Sequence, residues 1–334
     1  MSDAPLAVTP GEPAGVGVDL ALGLWAARDQ ATPPFFLIDD PDRVSVRARR
    51  IGLSVDLAPI DAPEQATGVF GSALPVLRHG FPADSIPGRP DPANGPATVD
   101  AITRAVALVR TGQAAAVITN PIQKETLYQA GFTHPGHTEY LAALSGPDVV
   151  PVMLLASPEL KVVPVTIHIP LADVPRQLTT DKIVTTARIT AAAMRRDFGI
   201  DAPRLALAGL NPHAGEGGAL GREDGDVIAP AVAILRAEGI DARGPLPADT
   251  LFHEEARTTY DVVLGMYHDQ VLVPIKTLDF WGGVNVTLGL PFVRTSPDHG
   301  TALSLAGTGQ ARIDSLKAAV DMARSMARRR AAAP

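Results

Sequence analysis

The sequence predicts an α/β protein built on a largely parallel sheet. Short apolar runs of strand length alternate with segments whose apolar residues recur at helical spacing. Glycine and proline are frequent, at 30 and 31 residues, which suits many turns and argues against a helical bundle. With 334 residues the chain is long enough to bury a large core and to form one or two domains.

The strands expected in order are LAVT (6–9), FFLI (35–38), AAVIT (115–119), VMLLA (152–156), KVVPV (161–165), RLALA (204–208), DVVLGMY (261–267) and GVNVTL (283–288). Between them, Val99, Ile102, Val106 and Val109 share one helical face. So do Ile183, Ala187, Ala191 and Met194, then Ile228, Ala231, Val232 and Leu235, and finally Ile313, Leu316, Val320 and Ala323. Each stripe is the side of a helix that a sheet would bury. The stretch 80–97, rich in proline and glycine, reads as a long loop. The tail carries Arg328, Arg329 and Arg330, which read as a solvated helix end with cations near the C-terminal dipole.

Composition excludes several classes of function. Hydrophobic residues make up 46% and charged residues 19%, an ordinary globular balance. The net charge of −7 disfavours a general nucleic-acid binder, and 4% aromatics disfavours a stacking platform for single strands. No nucleic-acid partner is expected. A small anion is still admissible, because a few local cations can hold it. Cysteine is absent, so disulfides, thiolate nucleophiles and thiolate metal sites are excluded. The first residues lack a basic segment followed by an apolar one, and no apolar run reaches membrane-spanning length. The expectation is a soluble cytoplasmic protein with no membrane partner.

Histidines are the most informative chemistry. His168 follows KVVPVTI, His213 sits in LNPHAGEGG after RLALAG, and His268 sits in MYHDQ after DVVLG. Ligands of open α/β sheets gather beyond the carboxyl ends of strands. Three imidazoles there could hold one divalent metal and leave positions open for substrate. They could equally be three separate hydrogen-bonded loop histidines. The loop GEPAGVG (11–17) lies between a strand and a helix, but matches neither the dinucleotide fingerprint nor the phosphate loop with its lysine. Lys276, Asn285 and Arg294 follow at nine-residue intervals and could bind phosphate or carboxylate, or simply form surface ion pairs. His137 and Thr138 in GHTEYLA sit where a helix should start, either to bind an anion or with Thr138 as a plain cap. DHGTALSLAGTG (298–309) could lie against a nucleoside, or form a glycine-capped helix end.

Taken together, GEPAGVG, TNPIQKETLYQAGF, GHTEYLA, TIHIPL, GLNPHAGEGGALGRED, GPLPADTLF, YDVVLGMYHDQVLVPIK and GVNVTLGLPFVRTSPDHGTALSLAGTG resemble, in order, the PdxA family of 4-hydroxythreonine-4-phosphate dehydrogenases. The resemblance implies a fold like that of the isocitrate and isopropylmalate dehydrogenases, with two α/β domains flanking a cleft. The expected domains are 1–135 plus 285–334, and 136–284. It implies a homodimer with the active site at the interface, built from both chains. Its metal ligands would be His168, His213 and His268, holding zinc, magnesium or cobalt. Its binding residues for a small phosphorylated substrate would be His137, Thr138, Lys276, Asn285 and Arg294. NAD or NADP would lie on His299, Gly300 and Thr301. Two departures stand out: Gln123 occupies a position where the family often has histidine, and Gly225 replaces an aliphatic residue after Glu223 and Asp224. Gln123 cannot relay a proton at neutral pH.

The implied chemistry is oxidation of 4-phosphooxy-L-threonine at C3. The product, 2-amino-3-oxo-4-phosphooxybutanoate, is a β-keto acid that loses CO2 to give 3-amino-2-oxopropyl phosphate, on the route to pyridoxine 5'-phosphate (vitamin B6). Asp249 and Lys276 are candidates for the base, and Asp269 for orienting His268. The rival readings are a paralogue acting on threonate or erythronate 4-phosphate, oxidation of a cyclic cis-diol acid, a metal-dependent phosphatase, and a non-catalytic metal- or metabolite-binding protein. Mixing His168→Ala chains with His268→Ala chains would test whether the site is shared.

Overall fold

Strands covered by helices on both faces have no solvent side, so they read as continuous apolar runs. The computed structural model describes residues 4–332. Its strands are β1 (Leu6–Val8), β2 (Phe35–Asp39), β3 (Leu57–Ile60), β4 (Leu74–Arg78), β5 (Val117–Ile118), β6 (Val152–Ala156), β7 (Lys161–Thr166), β8 (Arg204–Ala208), β9 (Asp241–Leu246), β10 (Val262–Tyr267), β11 (Val284–Leu288) and β12 (Arg294–Pro297). The chain forms two α/β units. One runs up to Pro151 and resumes over Leu290–Ala332; the other is Val152–Gly289.

In the first unit the strand order is β3-β4-β2-β1-β5-β12, and every pairing is parallel. The helix Gly95–Arg110 lays Ile102, Ala105 and Val106 on Ala7, Phe36, Ile38 and Val117. Helix Pro41–Arg50 starts where it does because the Asp40 carboxylate accepts the N–H groups of Asp42 and Arg43, with proline at the first position.

In the second unit the order is β11-β6-β7-β10-β8-β9. The β11–β6 and β6–β7 pairings are antiparallel and the rest are parallel. Its core joins Leu155, Val162, Ala206 and Val263 to Val271, Leu272 and Ile275 of helix His268–Leu278. Helix Thr180–Arg196 is capped by the Thr179 hydroxyl on the N–H of Lys182, and its stripe Ile183, Ala187, Ala191 and Met194 is buried as the spacing predicts.

Several elements differ from the sequence reading. β3, β4, β9 and β12 were not expected. LAPI and LPVLR each contain a proline, DARGPL is polar, and RTSP is short and polar although all four of its residues are buried. The stretch 80–97 is a loop only as far as the turn Pro92–Asn94, after which Gly95 and Pro96 open a helix. The C-terminal helix Asp314–Ala332 runs through all three arginines, and Arg330 donates to the Leu290 carbonyl.

The units also part at residues other than 135 and 285. Helix His137–Ser145 belongs to the first unit, because Leu141 is buried in its core. β11 belongs to the second, because it pairs with β6 from Val284–Ala156 to Leu288–Val152. Among the described residues no helix is long and apolar enough to cross a membrane.

Candidate active site

β7, β10 and β8 are neighbouring parallel strands, so their carboxyl ends lie along one edge of the second unit. His168 follows the end of β7, His268 begins the helix that leaves β10, and His213 lies in the loop that leaves β8. The edge is braced by hydrogen bonds. The Thr166 hydroxyl donates to the Met266 carbonyl (2.6 Å), and the Gln270 amide donates to the Gly209 carbonyl (2.6 Å) while accepting the N–H of Met266 (2.6 Å).

The rings of His168 and His268 lie close together, tilted by 42° with centroids 5.8 Å apart. Nδ1 of His268 lies 2.7 Å from a carboxylate oxygen of Asp269. A carboxylate only accepts, so Nδ1 is the donor of this pair. His213 repeats the pattern, with Nδ1 lying 3.2 Å from Glu216.

The loop around His213 is held in an unusual conformation. His213, Ala214 and Glu216 all have positive φ, at 52°, 52° and 43°. Such backbone is costly for residues with a side chain and collects at functional sites. It is fixed from below by the buried Asp224, whose carboxylate accepts the N–H groups of Leu210 (2.8 Å) and Asn211 (3.2 Å). Gly209 is needed there, since a Cβ would sit 2.7 Å from that carboxylate. His213 shares a cavity of about 760 Å³ with Asp249, Tyr267, Asp269 and Gln270.

Among the described residues of one chain, no three metal-ligating side chains stand close enough to hold an ion. His168 and His268 are brought together, and His213 stands apart from the pair. The donor chemistry nevertheless fits a divalent metal: in His268 and His213 the carboxylate engages Nδ1, which leaves Nε2 as the nitrogen that could ligate. Lys276 lies in helix His268–Leu278 with Nζ 5.4 Å from the Phe280 ring centre, and Asn285 lies in β11 opposite Leu155.

The first unit holds the other residues. His137 is the first residue of its helix, Gly136 is the cap, and Thr138 is one turn-position further in without capping. Nε2 of His137 is buried with no hydrogen-bond partner. Burial, and then the charges of Arg294 and Lys124, hold its pKa well below the usual imidazole value. Lys124 Nζ lies 3.4 Å from where a Cβ on Gly136 would be, so a cation stands beside the helix start. Arg294 is buried and donates to the Thr119 hydroxyl from Nε (3.1 Å) and Nη2 (2.6 Å). Burial lowers its pKa to about 10, so it stays charged at neutral pH.

His137 therefore makes the fold sensitive to acid. Its folded pKa is depressed, so the unfolded chain takes up a proton first as pH falls. Stability should be full above about 6.5 and fall as acid drives pH from there toward the folded pKa. Denaturation across this range should show a smaller loss in His137→Gln than in the native sequence. Equal losses would place the sensitivity elsewhere.

The loop after β12 carries His299, Gly300 and Thr301. Nδ1 of His299 lies 2.9 Å from the Gly300 carbonyl. Thr301 is buried, its carbonyl accepts the N–H of Val16 (3.1 Å), and its hydroxyl donates to Gln123 Oε1 (3.3 Å). Sequence reading noted Gln123 only as a departure; the structure gives it this contact. Lys124 and Glu216 were quoted in motifs but not singled out, because no spacing rule marks a residue that acts through its neighbour.

Comparison with known proteins shows the family. The family described as "Pyridoxal phosphate biosynthetic protein PdxA" matches residues 31–323. The chain is 58% identical to a 4-hydroxythreonine-4-phosphate dehydrogenase of Methylorubrum populi, over 98% of this chain and 95% of that one. It superposes on the crystal structure of a 4-hydroxythreonine-4-phosphate dehydrogenase from Klebsiella pneumoniae with a TM-score of 0.87 at 37% identity, covering 97% and 99% of the two chains. A terephthalate 1,2-cis-dihydrodiol dehydrogenase from Burkholderia xenovorans is more distant, with a TM-score of 0.65 at 29% identity over 96% of this chain and 98% of that one.

Proposed function

We propose that this chain, which belongs to the PdxA family, is an NAD(P)-linked oxidoreductase that converts 4-phosphooxy-L-threonine to 2-amino-3-oxo-4-phosphooxybutanoate in vitamin B6 biosynthesis. The product then decarboxylates to 3-amino-2-oxopropyl phosphate. The observation that carries this reading is the full-length match at 58% identity to an enzyme of that name. The proposed compartment is the cytoplasm, in keeping with an anionic substrate that lipid would exclude.

The residues divide the work by charge. The substrate's phosphate and carboxylate need cations and N–H donors, which Arg294, Lys276, Asn285 and the helix start at His137 and Thr138 would supply. His137 enters as a neutral ring with a free nitrogen, which suits a hydrogen bond to the substrate better than an ion pair. His168, His213 and His268 would hold zinc, magnesium or cobalt, whose chemistry when bound is to acidify the C3 hydroxyl. Asp249, in the same cavity as His213, is the proposed acceptor of the hydroxyl proton, with Lys276 as the alternative. His299, Gly300 and Thr301 would hold NAD or NADP, whose nicotinamide would take the C3 hydride with its electron pair.

A homodimer completes the site in this reading. His168 and His268 come from one subunit and His213 from its partner. The second unit leaves Val273, Phe280 and Trp281 at least half exposed, which supports a self-association face there.

A substrate panel tests the function. 4-Phosphooxy-L-threonine, threonate 4-phosphate, erythronate 4-phosphate and a cis-dihydrodiol acid would each be offered with NAD or NADP and a divalent metal. The expected result is cofactor reduction fastest with 4-phosphooxy-L-threonine. Preference for another member reassigns the substrate, and phosphate release without cofactor reduction would indicate a phosphatase.

A further inference from the structure

The loop 11–17 has no part in the mechanism proposed above, yet it is held by a deeply buried ion pair of the first unit. Arg47, in helix Pro41–Arg50, pairs with Asp19, in helix Gly17–Ala26, and the two are 3% and 4% exposed. The pair also holds two loops. Arg47 donates to the carbonyls of Gly15 (3.0 Å) and Pro13 (3.1 Å). The second oxygen of Asp19 accepts the N–H of Gly307 (2.9 Å). One turn either side, Arg43 donates to the Pro13 carbonyl (3.0 Å) and Arg50 to the Gly307 carbonyl (3.3 Å). The two loops also touch directly, through the N–H of Val16 on the Thr301 carbonyl.

A buried ion pair is a poor source of stability, because apolar residues of the same size usually do as well. Its strength is geometric. A planar guanidinium fixes two carbonyls and a carboxylate at once, and the carboxylate fixes a third backbone group. We infer that Arg47 and Asp19 are positioning residues for the nicotinamide dinucleotide: their clasp sets the 301–307 loop, through the loop 11–17, at the bearing that binds the cofactor. The inference rests on the proposed cofactor location at His299, Gly300 and Thr301.

The test compares Arg47→Lys with Asp19→Asn. Lysine keeps the charge facing Asp19 but cannot reach both carbonyls, and asparagine keeps an oxygen for the Gly307 N–H while losing the ion pair. Dinucleotide binding is read by calorimetry with NAD and with NADP, beside steady-state kinetics. Both variants should raise Kd and KM for the dinucleotide by about tenfold, with kcat and the KM for 4-phosphooxy-L-threonine within about twofold of the native values. If Arg47→Lys is insoluble, Asp19→Asn gives the same readout. A lowered melting temperature with unchanged dinucleotide Kd would make the clasp purely structural and overturn the inference. His299→Glu separates the two failures. If it weakens dinucleotide binding while the clasp variants do not, only the clasp is wrong. If it too leaves Kd unchanged, the cofactor location falls and the inference with it.

Discussion

Stripping divalent metal with a chelator is expected to abolish oxidation of 4-phosphooxy-L-threonine, and zinc, magnesium or cobalt to restore it. The alcohol is a very weak acid, and no side chain near neutral pH deprotonates it unaided. His268→Ala should lower kcat/KM by roughly a thousandfold or more, because it removes one of the three proposed metal ligands and the ring that Asp269 contacts. The fold should survive, since His268 lies at the start of its helix and outside the apolar cluster of its unit. Circular dichroism and metal content would be measured alongside. Full activity in metal-free protein would reject the role given to the histidines.

Mixed dimers are expected to distinguish which histidines share a subunit. In His168→Ala mixed with His213→Ala, each heterodimer keeps one intact site, formed by the native pair of one chain and the native His213 of the other. Random mixing should therefore restore about a quarter of the native activity. His168→Ala mixed with His268→Ala should restore nothing. The sequence alone suggested this second mixture as the test of sharing, but the two rings lie 5.8 Å apart in one chain, so with that pair on one subunit each site in the mixture would lack one of them. Recovery in the second mixture and not the first would reverse the assignment.

Apolar runs such as VMLLA and RLALA became strands with the predicted bounds, because burial on both faces leaves a plain signal. RTSP gave no such signal, since its burial comes from its neighbours and not from its own side chains. The histidines were legible because each follows a strand end, and the expectation that they gather holds for His168 and His268. That His213 does not join them within one chain was not legible, because it depends on the path of the loop after β8, which no local pattern encodes. The buried clasp of Arg47 and Asp19 was invisible for a similar reason: the residues are far apart in sequence, and each looks like an ordinary helix-surface charge.

Anomalous diffraction from zinc-loaded crystals grown with 4-phosphooxy-L-threonine tests the central claim most directly. One strong peak per site is expected, roughly 2.0–2.1 Å from Nε2 of His168 and His268 of one subunit and of the partner's His213. A peak elsewhere, or these rings beyond coordination reach in the assembled dimer, would contradict it.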